Sequence, residues 1–169
     1  MGLSIVKDRA QLPGAMVDCF AYGDVALIQQ FISGREFGVG VADLGNGPKA
    51  LPPVEINATG PYDYDARYNP GRVEYIIKDE NDEIAQKAMQ MAEAVHKSLG
   101  LRHYSRTDII VDEAGEAWFL DINVAPGMTE TSIFPQAAAA LARQQNRTLD
   151  DVYLDILKTA AVSADESTN

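Results

Sequence analysis

Cysteine is nearly absent from this sequence of 169 residues, in which Cys19 stands alone. A single thiol excludes an internal disulfide framework and is typical of a reducing compartment, so we expect a cytoplasmic protein. Long apolar runs are also missing, since no segment approaches the roughly 18 consecutive apolar residues of a membrane-spanning helix. The first residues lack the basic and apolar regions of a secretory signal. These absences predict a protein without a membrane partner.

Basic residues are outnumbered, with 14 Lys and Arg against 25 Asp and Glu, which gives a formal net charge of −11. Nucleic acids bind basic surfaces, so this charge argues against a nucleic-acid partner. It does not argue against ATP, because a magnesium ion and a few focused cations neutralise a triphosphate locally. Hydrophobic residues make up 46% of the chain, which is enough for the core of one domain of ordinary size.

The most informative segment, 104–135, predicts two strands joined by a tight turn at 112–115. Side chains alternate between the two faces of a strand. Alternation therefore places four polar side chains on one face of this ribbon: Arg106, Asp108, Asp121 and Asn123. It assigns to the other face a set of apolar residues that we expect in the core: Trp118, Leu120, Ile122 and Val124.

A register that sets Asp108 opposite Asp121 also sets Arg106 opposite Asn123. Opposed residues have Cβ atoms about 4.5–5.5 Å apart, so the two carboxylates repel each other unless a cation lies between them. Carboxylate and amide oxygens suit Mg²⁺ or Mn²⁺, which complete their shells with phosphate oxygens. The pattern predicts a metal site made by Asp108, Asp121 and Asn123. The alternative is a surface hairpin whose polar pairs are merely solvated.

The segment RTDIIVDEAGEAWFLDINVAPGMTETSIFP resembles the C-terminal lobe of ATP-grasp ligases, most closely the D-alanine–D-alanine ligases. An R-x-D strand, an (E/D)-x-N strand, a P-G-M-T loop and an S-x-x-P helix start follow in the family's order. The resemblance implies an α+β fold with an ATP-grasp-type antiparallel sheet flanked by helices. It also implies a single domain over 1–169, truncated at its N-terminus. The polar residues 163–169 are expected to fray.

In the N-terminal half, 25–32 and 36–43 predict a hairpin of two strands with a turn at 33–35. The resemblance identifies this hairpin as a nucleotide clamp. It implies that Gln29, Gln30 and Ile32 bind the adenine of ATP and that Glu36 binds the ribose. It also implies that Leu120 binds ATP. The family usually has Glu at the position of Gln29.

The loop PYDYDARY at 61–68 resembles the family's Y-D-Y-x-A-K-Y lid, although in isolation it is also typical of a packed surface loop. The resemblance implies catalytic roles for Arg67, which replaces the family's Lys, and for Tyr68. It gives Arg106 the task of stabilising the transferring phosphoryl group. Gly127 and Ser132 would bind the acceptor amino acid, with Gly127 leaving room for its approach.

The implied reaction joins a carboxylate to an amine through an acyl phosphate, with ATP and an amino acid as partners. The resemblance also allows a homodimer of the full-length protein. Two alternatives remain open: a nucleotide-binding lobe that is inactive in isolation, and an amino-acid or peptide ligase with another substrate. Asp121 stands where the family commonly has Glu, and residues 1–4 match the tail of a phosphate loop or a plain N-terminal strand.

The remaining pattern predicts further elements. Apolar spacing and end signals predict a bent or edge strand and a short strand, then three helices. These are expected at 51–56, 72–77, 79–99, 133–142 and from 149 onward. Asp79 or Asn81 is expected to cap the first of the three helices and Thr148 the last. His96 and His103 receive no functional role.

Overall fold

Alternating patterns and helix caps produce a sheet with helices around it, in a computed structural model that describes residues 2–58, 73–79 and 81–166. The strands are β1 (Gly34–Asp43), β2 (Pro48–Ala50), β3 (Val54–Ala58), β4 (Val73–Ile77), β5 (Tyr104–Asp112) and β6 (Ala117–Asn123). A 3-10 turn (Arg9–Gln11) precedes α1 (Leu12–Phe20), and the later helices are α2 (Glu83–Ser98), α3 (Ile133–Gln144) and α4 (Leu149–Glu166).

The chain divides into two units. One consists of Met1–Ile32 with Asn57–Glu74 and contains the 3-10 turn and α1. The other consists of Ser33–Ile56 with Tyr75–Asn169 and contains most of the sheet, with α2, α3 and α4. All the geometry developed below belongs to this second unit.

Strand β1 is the centre of the sheet. The described strands follow the order β4-β3-β1-β5-β6, and β2 pairs with β1 beside β3. The pairs of β1 with β2, β3 and β5, and of β5 with β6, are antiparallel. This arrangement confirms the α+β fold class and the antiparallel sheet that the resemblance implies.

One face of the sheet packs against α2. Alternate residues of β1 and β5 meet small residues of the helix in a cluster whose members are at most 1% exposed: Phe37, Val39, Val41, Ile109, Val111, Ala85, Ala88 and Ala92. The alanines allow α2 to approach the sheet closely. His96 is also fully buried in α2, with its Nδ1 2.8 Å from the Ser105 hydroxyl, and burial lowers the pKa of His96.

A charged cluster joins β1, β3 and α2. Arg35 donates two hydrogen bonds to Glu55, at 2.6 and 3.1 Å, and two to Asp82, at 3.2 and 2.8 Å. Lys78 adds a contact of 3.0 Å to Glu55. The bonds from Arg35 lower the pKa of Glu55 and lower the pKa of Asp82 to about 2. This cluster fixes the start of α2, because Asp82 is also its N-cap.

Residues 25–32 do not form the strand that their apolar pattern predicts, so the predicted hairpin is wrong. Strand β1 pairs instead with β5 along one edge, and with β2 and β3 along the other. The turn expected at 33–35 is wrong as well, because Gly34 and Arg35 already belong to β1. Residues 2–6 likewise contain no strand.

Two smaller expectations also need correction. The N-cap of α2 is Asp82 rather than Asp79 or Asn81, because Asp79 instead accepts a bond from the Asn81 backbone within a turn. The strand expected at 51–56 begins only at Val54, after the prolines, and it lies between β1 and β4 instead of at an edge. Pro52 and Pro53 therefore remove no donors from the ladder.

The C-terminal elements follow the sequence pattern closely. Helix α4 begins after Thr148, whose hydroxyl and backbone exchange hydrogen bonds with Asp151 in a reciprocal cap. It continues to Glu166, into the segment that was expected to fray. Within the described ranges, no helix is both long and apolar enough to cross a membrane.

Candidate functional site

The second face of the sheet carries the predicted polar residues. Strands β5 and β6 pair with Asp108 opposite Asp121 and Arg106 opposite Asn123, which confirms the predicted register. Opposed residues project from the same face, so the two carboxylates are neighbours. Arg106 and Asp108 are nearly buried, with side chains 9% and 13% exposed, whereas Asp121 is exposed. The site therefore has a dry inner edge and an open outer one.

Strand β6 contains a β-bulge beside this pair. Asp108 faces Asp121, but Ile109 faces Phe119, so Leu120 is an extra residue in the ladder. The bulge ends the simple alternation that predicted a core on the other face of β6. Trp118, Leu120 and Val124 are 41%, 40% and 59% exposed, so their assignment to the core is wrong. Trp118 Nε1 instead donates to Asp112 at 2.8 Å.

Arg106 is the principal cation of this face. Its Nη2 lies 2.8 Å from Asp108 Oδ2, an ion pair between neighbouring residues of one face of β5. Its Nε is buried and has no acceptor among the described residues. A buried guanidinium donor without an acceptor is costly, and an anion supplied by a ligand would satisfy it. The inner edge of the site is thus suited to a phosphate oxygen.

The acidic residues suit a metal that arrives with a ligand. Across 2–58, 73–79 and 81–166, no three His, Cys, Asp or Glu side chains lie together as a complete metal-binding group. Asp108 and Asp121 supply carboxylates, and the Asn123 side-chain oxygen also accepts the Ala125 N–H at 2.9 Å. Two carboxylates and an amide oxygen fit Mg²⁺ or Mn²⁺ whose remaining ligands are phosphate and water.

Helix α3 brings the predicted acceptor-binding residues next to each other. Ser132 is the N-cap, but its hydroxyl makes no cap bond and lies 2.8 Å from Thr129 Oγ1. A Cβ at Gly127 would lie 2.7 Å from Ser132 Oγ, so only glycine allows this approach. The backbone donors of a helix start favour an anion such as a carboxylate.

The nucleotide-binding predictions divide between the two units. Gln29, Gln30 and Ile32 belong to the first unit and lie outside any strand. Glu36 lies in β1 opposite Ile110, on the face that carries Asp108. Leu120 is the extra residue of the bulge. The roles of these residues on ATP stay predictions.

Arg67 and Tyr68 lie outside the described residues, as does the whole predicted lid at 61–68. Their catalytic roles stay predictions.

Two residues near the site were missed from the sequence. Thr129 contacts Ser132, and its position three residues earlier in P-G-M-T-x-x-S could have indicated this. Gly38 faces Asp108 and leaves space for Ile133. The alternating glycines of EFGVGVAD predict one strand face without side chains, which is the condition for close packing.

Comparison with known proteins agrees with the class that this fold and site define, an ATP-grasp lobe. The profile of the family "D-ala D-ala ligase C-terminus" matches residues 1–150. The D-alanine–D-alanine ligase of Pelotomaculum thermopropionicum is 43% identical over 143 residues, covering 83% of this chain and 44% of that protein. That of Geotalea uraniireducens is 36% identical over 164 residues, covering 96% and 50%. The chain belongs to the D-ala D-ala ligase C-terminus family.

Solved structures share the fold. A D-alanine–D-alanine ligase from Bacillus anthracis, complexed with ATP, has a TM-score of 0.76 at 22% identity, over 98% of this chain and 51% of that one. The enzyme from Coxiella burnetii has a TM-score of 0.75 at 21% identity, over 98% and 42%. The chain spans about half the length of the curated relatives that it matches.

Proposed function

We propose that the protein to which this chain belongs is an ATP-dependent D-alanine–D-alanine ligase that makes a peptidoglycan precursor in the cytoplasm. The observation that supports this most is the register of β5 and β6, which gathers Arg106, Asp108, Asp121 and Asn123 on one face. The curated relatives that the chain matches bear this name. ATP and D-alanine would be its partners, in a homodimer, with no nucleic acid or membrane involved.

The proposed reaction has two steps. A carboxylate oxygen of the first D-alanine forms a bond to the γ-phosphorus of ATP while the bond from that phosphorus to ADP breaks, which yields an acyl phosphate. The amine of the second D-alanine then attacks the acyl carbon, loses a proton and expels inorganic phosphate, leaving the amide. Both steps build negative charge on oxygen, which fixed cations and donors must stabilise.

Asp108, Asp121 and Asn123 would hold Mg²⁺ or Mn²⁺, which supplies neutralisation of the triphosphate charge. Arg106 lies on the same face and would donate to the transferring phosphoryl group. Its buried Nε, which has no acceptor in the described part of the chain, supports this role, because a phosphate oxygen would satisfy it. The ion pair with Asp108 also orients this arginine.

Ser132 would receive the carboxylate of the second D-alanine. Its hydroxyl is not used as a helix cap and is held by Thr129, so it is oriented before substrate binds. Gly127 would let the substrate approach the backbone beside it. Arg67 and Tyr68 would close over the reacting groups, as the lid motif implies.

Gln29, Gln30 and Ile32 would bind the adenine and Glu36 the ribose. Leu120 would also bind ATP.

Phosphate release with the complete natural protein tests this function. We expect release from ATP that requires D-alanine, while L-alanine, glycine and D-lactate support much less. Equal rates with a different amino acid would indicate a ligase of another substrate. No amino-acid-dependent release from a folded, ATP-binding protein would refute the ligase function.

A nucleotide-binding lobe that is inactive in isolation is the second candidate, favoured because the chain spans about half of its relatives. Calorimetry of Mg-ATP with residues 1–169 separates the two cases. Binding without phosphate release would identify a lobe that needs further residues for catalysis. The variant Asp121→Asn should weaken the binding of ATP when the metal is present. Without the metal, the variant and the original chain should bind ATP equally, and this measurement is the matched control.

A further inference from the structure

Gly38 occupies the position in β1 directly opposite Asp108. A Cβ built on Gly38 would lie 2.8 Å from Ile133 Cδ1 and 2.9 Å from Ile133 Cγ2, but 3.7 Å from Asp108 Oδ1. The first two distances are closer than carbon atoms approach, and the third is ordinary van der Waals contact. The bare backbone at Gly38 is therefore the surface on which α3 begins, immediately beside the acidic pair.

The start of α3 has little freedom to move away from this contact. Ile133 and Phe134 are 4% and 0% exposed. Phe134 packs against the Tyr104 ring at a centroid distance of 5.5 Å, and it also fills the space beside Gly40. Because close-packed interiors transmit displacements, an atom added at Gly38 would shift Ile133 and, with it, the adjacent Ser132.

We propose that Gly38 is a positioning residue that sets the separation between Asp108 and Ser132, and so determines binding of the second amino acid. The inference rests on the proposed ligase function and extends it. The displacement acts through Ile133 on Ser132, whereas Asp108 keeps ordinary contact distance. A side chain at position 38 should therefore impair the acceptor site more than the metal and phosphate site.

The test compares Gly38→Ala, Ile133→Ala and the double variant in the complete natural protein. Gly38→Ala should raise the KM of the amine-donating amino acid by about tenfold, since small misplacements of reacting groups have effects of this size or larger. The KM of ATP should stay within about twofold. Ile133→Ala removes both clashing atoms, so the double variant should return to the acceptor KM of Ile133→Ala alone.

Gly14→Ala is the matched control, because a Cβ at Gly14 meets no atom within 4 Å. It should change neither KM. The inference is overturned if Gly38→Ala leaves the acceptor KM unchanged, if the KM of ATP rises equally, or if the double variant is no better than Gly38→Ala. Should Gly38→Ala not fold, the double variant must still fold and match Ile133→Ala, or the inference fails.

A second measurement separates this inference from the proposed function. If the natural protein releases no phosphate with any amino acid, the ligase function fails, and amide hydrogen exchange then decides the role of Gly38. The Gln136 N–H bonds to the Ser132 carbonyl at 3.3 Å, in the first turn of α3. Its exchange should be faster in Gly38→Ala and normal in the double variant. Unchanged exchange in Gly38→Ala would overturn the proposal.

Discussion

The two faces of the same strands differ in chemistry although their residues are sequence neighbours. Phe37 and Ile109 lie in the face toward α2 and are fully buried, while Gly38 and Asp108 lie in the opposite face. The first face is apolar and close-packed, and the second holds an arginine, two carboxylates and an amide. Stability and chemistry are therefore separated by the two-residue period of the strand rather than by distance along the chain.

Substitution of the core face should have the largest effect. Phe37→Ala is expected to lower the free energy of unfolding by about 3–5 kcal/mol, because it leaves a cavity under α2. Urea unfolding measures this loss. Phe119→Ala is the matched control, since Phe119 is 46% exposed, and it should cost less than half as much. Equal losses would mean that burial under α2 does not determine the cost of removing an aromatic ring from this face.

Substitution of the polar face should instead affect activity. Asp121→Asn is expected to slow D-alanine-dependent phosphate release by about 100-fold or more, the scale of losing one group that stabilises transition-state charge. Unfolding should change by less than about 0.5 kcal/mol, because Asp121 is exposed. Glu113→Gln removes the same charge from the nearby turn and should leave the rate unaltered. A normal rate for Asp121→Asn would exclude it as a metal ligand.

Substitution in the charged cluster of Arg35, Glu55 and Asp82 should have an effect of intermediate size on the free energy of unfolding. Arg35→Met should cost about 2 kcal/mol, because it removes the donors that Glu55 and Asp82 share and, among the described residues, leaves only Lys78 on Glu55 and the backbone N–H groups on Asp82. Adding Glu55→Gln should recover part of the loss, because the uncompensated charge disappears. Urea unfolding of both variants measures the coupling. Additive losses would show that Arg35 and Glu55 stabilise the fold independently.

The dependence of stability on acid pH should reveal the contribution of the same charged cluster. The pKa of Asp82 is lowered from 3.8 to about 2 in the folded protein. Between these values the unfolded chain binds a proton that the folded chain excludes, so the stabilisation is complete above 3.8 and is lost toward pH 2. The free energy of unfolding, measured across this pH window, should change less steeply with pH in Arg35→Met. An unchanged slope would exclude Arg35 as the cause of the shifted pKa.

His96 should have the smallest effect, at milder pH. Burial lowers its pKa below the ordinary 6.5, so the folded protein keeps it neutral while the unfolded chain becomes protonated. Stability should therefore be complete above 6.5 and decline as the pH falls through the folded pKa. Titration of the ring by NMR measures that pKa directly. His96→Gln, which can keep the Ser105 contact, should abolish the decline, and a persistent decline would point to another group.

The sequence was sufficient for the features that depend on local pattern. Alternation within each strand places Arg106 with Asp108 and Asp121 with Asn123, and Thr148 was correctly predicted to begin the last helix. These signals lie within a few residues of the structure they determine, so no distant contact was needed to interpret them.

Other features depend on packing that no local pattern contains. The segment 25–32 resembles a strand by its apolar run, yet it forms none, because a strand also needs a pairing partner that the apolar run itself does not supply. Asp79, Asn81 and Asp82 are all good caps, and the bonds from Arg35 fix the side chain of Asp82. The role of Gly38 becomes visible only once α3 lies across the sheet. Physical context, rather than residue type, decided these cases.

The extra residue Leu120 divides the ribbon of β5 and β6 into two segments, and side chains alternate between the faces separately in each. In one segment Asp121 and Asn123 share a face with Asp108, and in the other Trp118 lies opposite Ile110 near the turn. Engineering of the turn end, by grafting or by changing its length, can therefore proceed without rotating Asp121 and Asn123 out of position. The same offset means that the face of a residue cannot be assigned by counting alternate positions across Leu120, because the extra residue shifts the count by one.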